Sequence, residues 1–171
     1  MTVLVAYGTM CGSTAEIAGW IAEEMRAAGL DVDVRPAGAV DDVDGYEALV
    51  LGGAVYAAGW HVEARKFANR FGPAFAGRPV WLFSSGPLDG STDVADPPPI
   101  PHAKAAMHQL RARDHATFGG RLSDDAPGWL GLVARRMARQ GRSGDFRNPN
   151  RVRAWAREIA AQIRSVESRP M

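Results

Sequence analysis

Two hydrophobic textures alternate along this chain. Uninterrupted apolar runs at Val3 to Tyr7, Ala48 to Gly53 and Pro79 to Ser84 suit strands buried on both faces. Between them, Ile17, Ala18, Ile21, Ala22 and Met25 recur at helical spacing, while Glu16, Glu23, Glu24 and Arg26 fall elsewhere. This predicts a helix starting near Ser13 or Thr14 and closed by Gly29 as a C-terminal glycine. Asp31 to Pro36 alternates Val32 and Val34 with polar residues, the pattern of a strand near a sheet edge. Ala64, Phe67, Ala68 and Phe71 mark a second helix, and Ala103, Ala106, Met107 and Leu110 a third. His115 to Gly120 reads as a fifth strand. Val152, Trp155, Ala156, Ile159 and Ile163 define a last helix with Asn148-Pro149 as its start signal.

Five strands thus interleave with helices, which predicts an α/β fold: a parallel sheet with right-handed crossovers and helices on both faces. At 171 residues, 46% hydrophobic and 23% charged, the chain suits one domain over residues 1–171. No internal repeat is visible. An insertion over about 123–144 separates the fifth strand from the last helix.

Candidate chemistry gathers where the strands end. After the first strand come Gly8, Thr9, Met10, Cys11, Gly12, Ser13 and Thr14. Glycine and hydroxyl residues there suit a tight turn whose N–H groups converge, and the following helix adds its free N–H groups and positive dipole end. The result is an anion cradle. It lacks both the G-x-G-x-x-G of a dinucleotide site and the G-K-[ST] of a triphosphate loop. After the third strand, Ala54 to His61 reads as a loop whose aromatic residues, Tyr56 and Trp60, suit contact with a flat ring, with Val55 and Ala57 beside them. Trp60 can equally begin the next helix and pack on the sheet, and His61 at a helix start suits either a proton donor or a partly buried residue. Ser84, Ser85, Gly86, Pro87 and Leu88 would form the opposite wall and open a long Gly/Pro-rich loop to Pro101. Arg121, after the fifth strand, suits either an acidic substrate or a structural carboxylate.

The net charge of +1 conceals an uneven distribution, because Trp129 to Arg164 holds nine arginines against Asp145 and Glu158. Such a stretch suits an acidic substrate, an anionic membrane or a nucleic acid, and no recognition motif favours nucleic acid. Within the insertion, Trp129, Leu130, Val133, Ala134 and Met137 share one side of a helical wheel and Arg135, Arg136 and Arg139 the other, with Leu132 among the arginines. A basic amphipathic helix over 127–142 would lie on a membrane, cover a substrate, make an oligomer contact or pack on its own domain. The single cysteine, Cys11, excludes an internal disulfide and a multi-cysteine metal site, and the four histidines lack metal-ligand spacing, so no metal is expected. The apolar runs are far shorter than the ~20 residues of a membrane span and no leader pattern precedes the first strand, so a cytoplasmic protein, at most peripheral to a membrane, is expected.

Thr9-Met10-Cys11-Gly12-Ser13-Thr14 resembles the T-x-T-G-x-T loop with which flavodoxins wrap the monophosphate of FMN, with Cys11 in place of the second threonine. The resemblance implies the strand order 2-1-3-4-5, with ligand bound where that order reverses, an arrangement for which flavodoxin is itself the standard example. The same loop, Gly52 through Trp60-His61 to Phe67, Phe118-Gly119-Gly120, the insertion, and Asp145-Phe146-Arg147 leading into Trp155 to Ala160 are together similar to the flavodoxin-like protoporphyrinogen oxidase family. That likeness implies an FMN-dependent oxidoreductase that moves electrons from a reduced small-molecule substrate to a quinone. FMN would be held by Thr9, Met10, Cys11, Gly12, Ser13 and Thr14 and bordered by Val55, Tyr56, Ala57, Trp60 and residues 84–88. No residue stands out as a necessary acid or base, as expected where the cofactor carries the chemistry. The alternatives are a flavodoxin-type electron carrier, against which the near-neutral charge and basic C-terminal third speak, and a redox protein that uses a deazaflavin.

Overall fold

The computed structural model describes residues 1–86, 91–122 and 144–167, together with positions 128, 131, 132, 135, 136 and 139. Its sheet is built from β1 (Thr2–Gly8), β2 (Asp31–Pro36), β3 (Ala48–Tyr56), β5 (Val80–Ser85) and β6 (Asp114–Phe118), all parallel, in the order β2-β1-β3-β5-β6. With β4 (Gly59–Trp60) set aside, this is the expected 2-1-3-4-5 order. The strand β4 turns back antiparallel on β3 and makes the sheet six-stranded.

The apolar runs have a simple cause. Alternate residues of each central strand feed two separate cores, so both faces must be hydrophobic. Val3, Val5, Val50, Trp81 and Phe83 face α1 (Ser13–Ala27) and α5 (Pro149–Glu167), whereas Leu4, Ala6, Leu49, Leu51 and Leu82 face α2 (Val62–Phe71) and α4 (Pro101–Leu110). A short α3 (Ser91–Val94) lies in the crossover before α4.

Helix ends follow the sequence signals. Gly29 has φ +87°, and the Leu30 and Gly29 N–H groups bond the Met25 and Arg26 carbonyls, a Schellman closure with Leu30 and Met25 both buried. At α5, the Asn148 side chain accepts from Arg151 N–H at 3.2 Å just before Pro149.

The segment Ala54 to His61, expected as a loop, is instead a β-hairpin. Ala57 and Ala58 form its two-residue turn at φ +46° and +61°, the positive pair that lets a right-twisted strand reverse at once. A second small ladder was also absent from the sequence reading: β7 (Arg121–Leu122) pairs antiparallel with β8 (Gly144–Asp145). These two strands form the stem of the insertion. Pro87 and Leu88 lie outside the described residues, as do Trp129, Leu130, Val133, Ala134 and Met137; residues 131, 132, 135, 136 and 139 are helical, and Leu132 and the three arginines are exposed. Among the described residues, no helix is long and apolar enough to cross a membrane.

Candidate functional site

Parallel register brings the strand ends into line. Gly8 is opposite Gly53, Ala54 opposite Ser85, and Ser85 opposite Phe118, so every following loop starts at one edge of the sheet. Contacts then tie the loops together. Met10 N–H donates to the Tyr56 hydroxyl at 3.3 Å, and Gly86 N–H donates to the Phe118 carbonyl at 3.0 Å. Arg121 N–H donates to Ser13 Oγ at 3.3 Å, which sets the stem of the insertion against the first turn of α1. Two glycines at this edge allow close packing of neighbouring side chains. A Cβ on Gly8 would stand 2.6 Å from His61 Nδ1, and one on Gly86 would stand 3.0 Å from the Val55 Cβ.

The start of α1 is open to an anion. Gly12 takes the left-handed conformation at φ +79° and offers no side-chain cap, and the first intrahelical bond runs from Glu16 N–H to the Gly12 carbonyl. Ser13, Thr14 and Ala15 therefore present N–H groups that the helix does not use. Thr9 Oγ1 accepts from Gly12 N–H at 3.1 Å and folds the loop over itself. Thr14 is fully buried, yet its hydroxyl has no hydrogen-bond partner. A buried hydroxyl without a partner is costly, and a phosphate oxygen at this helix start is the kind of group that would satisfy it. The cradle therefore suits a phosphate group.

The aromatic candidates divide. Tyr56 sits at the site, half-buried, with its hydroxyl against the phosphate loop; burial raises its pKa, and the Cys11 thiol is beside it. Trp60 is only 2% exposed and belongs to the core below, its ring filling the space left by Gly53. Hairpin register decides this, because Trp60 pairs with Val55 and is turned onto the α2 face. Val55 lies against Gly86, and Ala57 is exposed at the hairpin tip. His61 caps α2, its Nδ1 accepting from Glu63 N–H at 3.2 Å, and burial lowers its pKa.

Of the serines, Ser84 is buried and its hydroxyl pairs with His115 Nε2 at 2.8 Å, so it braces β5 against β6. Ser85 is buried at the strand end next to Gly86. Met10, by contrast, is 48% exposed on the rim of the phosphate loop.

Sequence reasoning missed an ionic cluster beside the cradle. The Arg147 side chain is 5% exposed, bonds Glu16 and Asp145 together, and lies 5.0 Å from the Trp20 ring centre. Its bonds to these carboxylates hold it firmly charged and lower the pKa of Asp145. Arg121 adds a second cation 3.9 Å from Glu16. No spacing rule could have found this group, since Glu16 and Arg147 are 131 residues apart.

Comparison with known proteins agrees with the geometry. A family model described as "Flavodoxin domain" matches residues 4–145. The chain belongs to the flavodoxin-domain family. A flavodoxin from the domain Archaea superposes with TM-score 0.61 at 14% identity, over 96% of this chain and 99% of its own. The flavodoxin of Streptococcus pneumoniae TIGR4 gives 0.61 at 19% identity, over 95% and 99%. The rubredoxin oxygen:oxidoreductase of Desulfovibrio gigas gives 0.64 at 14% identity, covering 98% of this chain but 37% of the other, so the match there is to one part of a longer protein. No curated protein sequence gives a significant match. At these identities the structural neighbours establish the fold. Nothing among them is specific to protoporphyrinogen oxidases, so the flavodoxin domain is the family assignment.

Proposed function

We propose that this protein binds FMN and transfers electrons in the manner of a flavodoxin. One observation carries the reading: the open start of α1, with the buried, partnerless Thr14 hydroxyl in its first turn, stands at the reversal point of a flavodoxin strand order. Thr9 to Thr14 would hold the phosphate, while Val55, Tyr56, Ala57 and the turn at Ser85-Gly86 would border the ring. When bound, FMN supplies the redox chemistry. The chain's own residues orient it and keep its phosphate in a helix-end field.

The basic C-terminal third is partly offset within the fold. Arg147, Arg151, Arg153 and Arg157 pair with Glu16, Asp145, Asp96, Glu23 and Glu24. Four of the nine arginines between Trp129 and Arg164 are thus paired within the fold, and the net charge of the chain stays at +1.

A second reading is an oxidase of a reduced organic substrate, such as protoporphyrinogen, that delivers electrons to a quinone. Its support is the stem β7/β8, which roots the insertion beside α1, so a substrate-binding element there would adjoin the cofactor, with exposed Arg135, Arg136 and Arg139 available to an acidic substrate or lipid. The deciding experiment is reconstitution with FMN, removal of free flavin, and a visible spectrum. Equimolar retained FMN supports both readings, and failure to retain it refutes them. Rapid reduction by a flavodoxin reductase without turnover of reduced porphyrin and quinone then favours the carrier.

A further inference from the structure

A carboxylate stands where an anion site should not have one. Glu16 lies in the first turn of α1, about 6 Å along the axis from Gly12, and helical side chains lean back toward the N-terminus. Unopposed, that charge would repel a phosphate well within a Debye length of it. The carboxylate is not unopposed. Arg147 bonds it directly from a nearly buried position against Trp20, and Arg121 approaches it from the stem at 3.9 Å.

The arginines are held by the stem of the insertion. Arg121 is opposite Asp145 in the β7/β8 ladder, Arg147 is bonded to Asp145 at 2.6 Å, and Phe146 N–H donates to the Gly120 carbonyl at 3.0 Å. Gly119 permits this closeness, because a Cβ there would stand 1.9 Å from the Phe146 carbonyl oxygen. Arg121 N–H also reaches Ser13 Oγ in the cradle itself. The cluster thus holds two cations and two carboxylates, fixed to the first turn of α1.

We propose that Arg147, assisted by Arg121, is a positioning residue that neutralises Glu16 and so makes the cradle selective for a phosphorylated flavin over the same flavin without phosphate. The proposal rests on the FMN reading. The stem then has an electrostatic task in addition to carrying the insertion. Because the effect acts on phosphate charge, it acts on FMN and leaves riboflavin, which shares the ring and ribityl chain, unaffected.

The test is fluorescence titration of the flavin-free protein with FMN and with riboflavin, for wild type, Arg147→Met, Glu16→Gln/Arg147→Met and Arg121→Met. Arg147→Met should weaken FMN binding about tenfold with riboflavin affinity unchanged, and the double variant should regain most of the loss. Arg121→Met, at an exposed position, should show a smaller shift in the same direction and keeps the test valid where Arg147→Met fails to fold. An FMN-to-riboflavin affinity ratio equal to wild type in both single variants overturns the proposal, as does a loss shared equally by both flavins that the double variant does not restore. A wild-type protein that binds neither flavin refutes the FMN reading instead.

Discussion

Thr14 joins stability and binding in a single hydroxyl. Buried without a partner, it destabilises the cofactor-free fold by an amount a valine of similar shape would recover. Thr14→Val should therefore raise the unfolding free energy of the flavin-free protein by about 1 kcal/mol in urea denaturation. The same variant should weaken FMN binding several-fold by titration. A variant that loses both properties would place the hydroxyl in a structural role. The cradle was legible in the sequence because its geometry is local: a glycine, hydroxyls and a helix start determine where the N–H groups point. Trp60 was not legible in the same way. An aromatic four residues past Tyr56 reads alike on a ring or in a core, and only the pairing of Val55 with Trp60 turned it inward.

At the scale of elements, the hairpin between β3 and β4 carries visible strain. Ala57 and Ala58 both have positive φ, which costs roughly 1–2 kcal/mol per non-glycine residue, and the usual occupants of such a turn are Asn and Gly. Ala57→Asn/Ala58→Gly should stabilise the protein by about 1 kcal/mol, read as a higher denaturation midpoint with an unchanged slope. A lowered midpoint would show that the alanine methyls contribute packing that the turn geometry alone does not reveal. The alanine pair explains why the sequence concealed this hairpin, since the turn signal is normally an Asn-Gly or Gly-containing pair. Helices were easier to read: the apolar positions Ala64, Phe67, Ala68 and Phe71 are the residues that α2 buries. Their spacing records burial on one face, whereas the two residues of β4 are too few to show any period.

For the molecule as a whole, a buried histidine contributes to the response to acid. His115 is 8% exposed, and burial lowers its pKa despite the opposing pull of Asp96 and Asp114. The folded state thus favours neutral imidazole, while the unfolded chain takes up a proton near pH 6.5. The resulting stability is present above that pH and is lost as pH falls, because the unfolded state then binds more protons. His61, lowered by burial as well, acts in the same direction, and the depressed Asp33 and Asp145 lose their contribution at lower pH, starting in the usual carboxylate range and finishing below it. Unfolding free energy should accordingly be smaller at pH 5 than at pH 7, with a smaller difference in His115→Asn. An equal difference in that variant would assign the acid sensitivity elsewhere.

What the sequence by itself determined was whatever depends on neighbours along the chain: the alternation of strand and helix, the open helix start after β1, the C-terminal glycine of α1 and the cap of α5. Periodicity and capping are local responses to burial and to unused backbone groups, so they leave a local mark. The tertiary structure alone decided which aromatic faced the site, that Ser84 would bond His115 rather than a ligand, and that Glu16 would meet Arg147 from the far end of the chain. Those outcomes depend on register and on which strand ends the sheet sets side by side. Charge pairs across 131 residues leave no period to read, because any arginine on the surface suits any glutamate until the fold chooses between them.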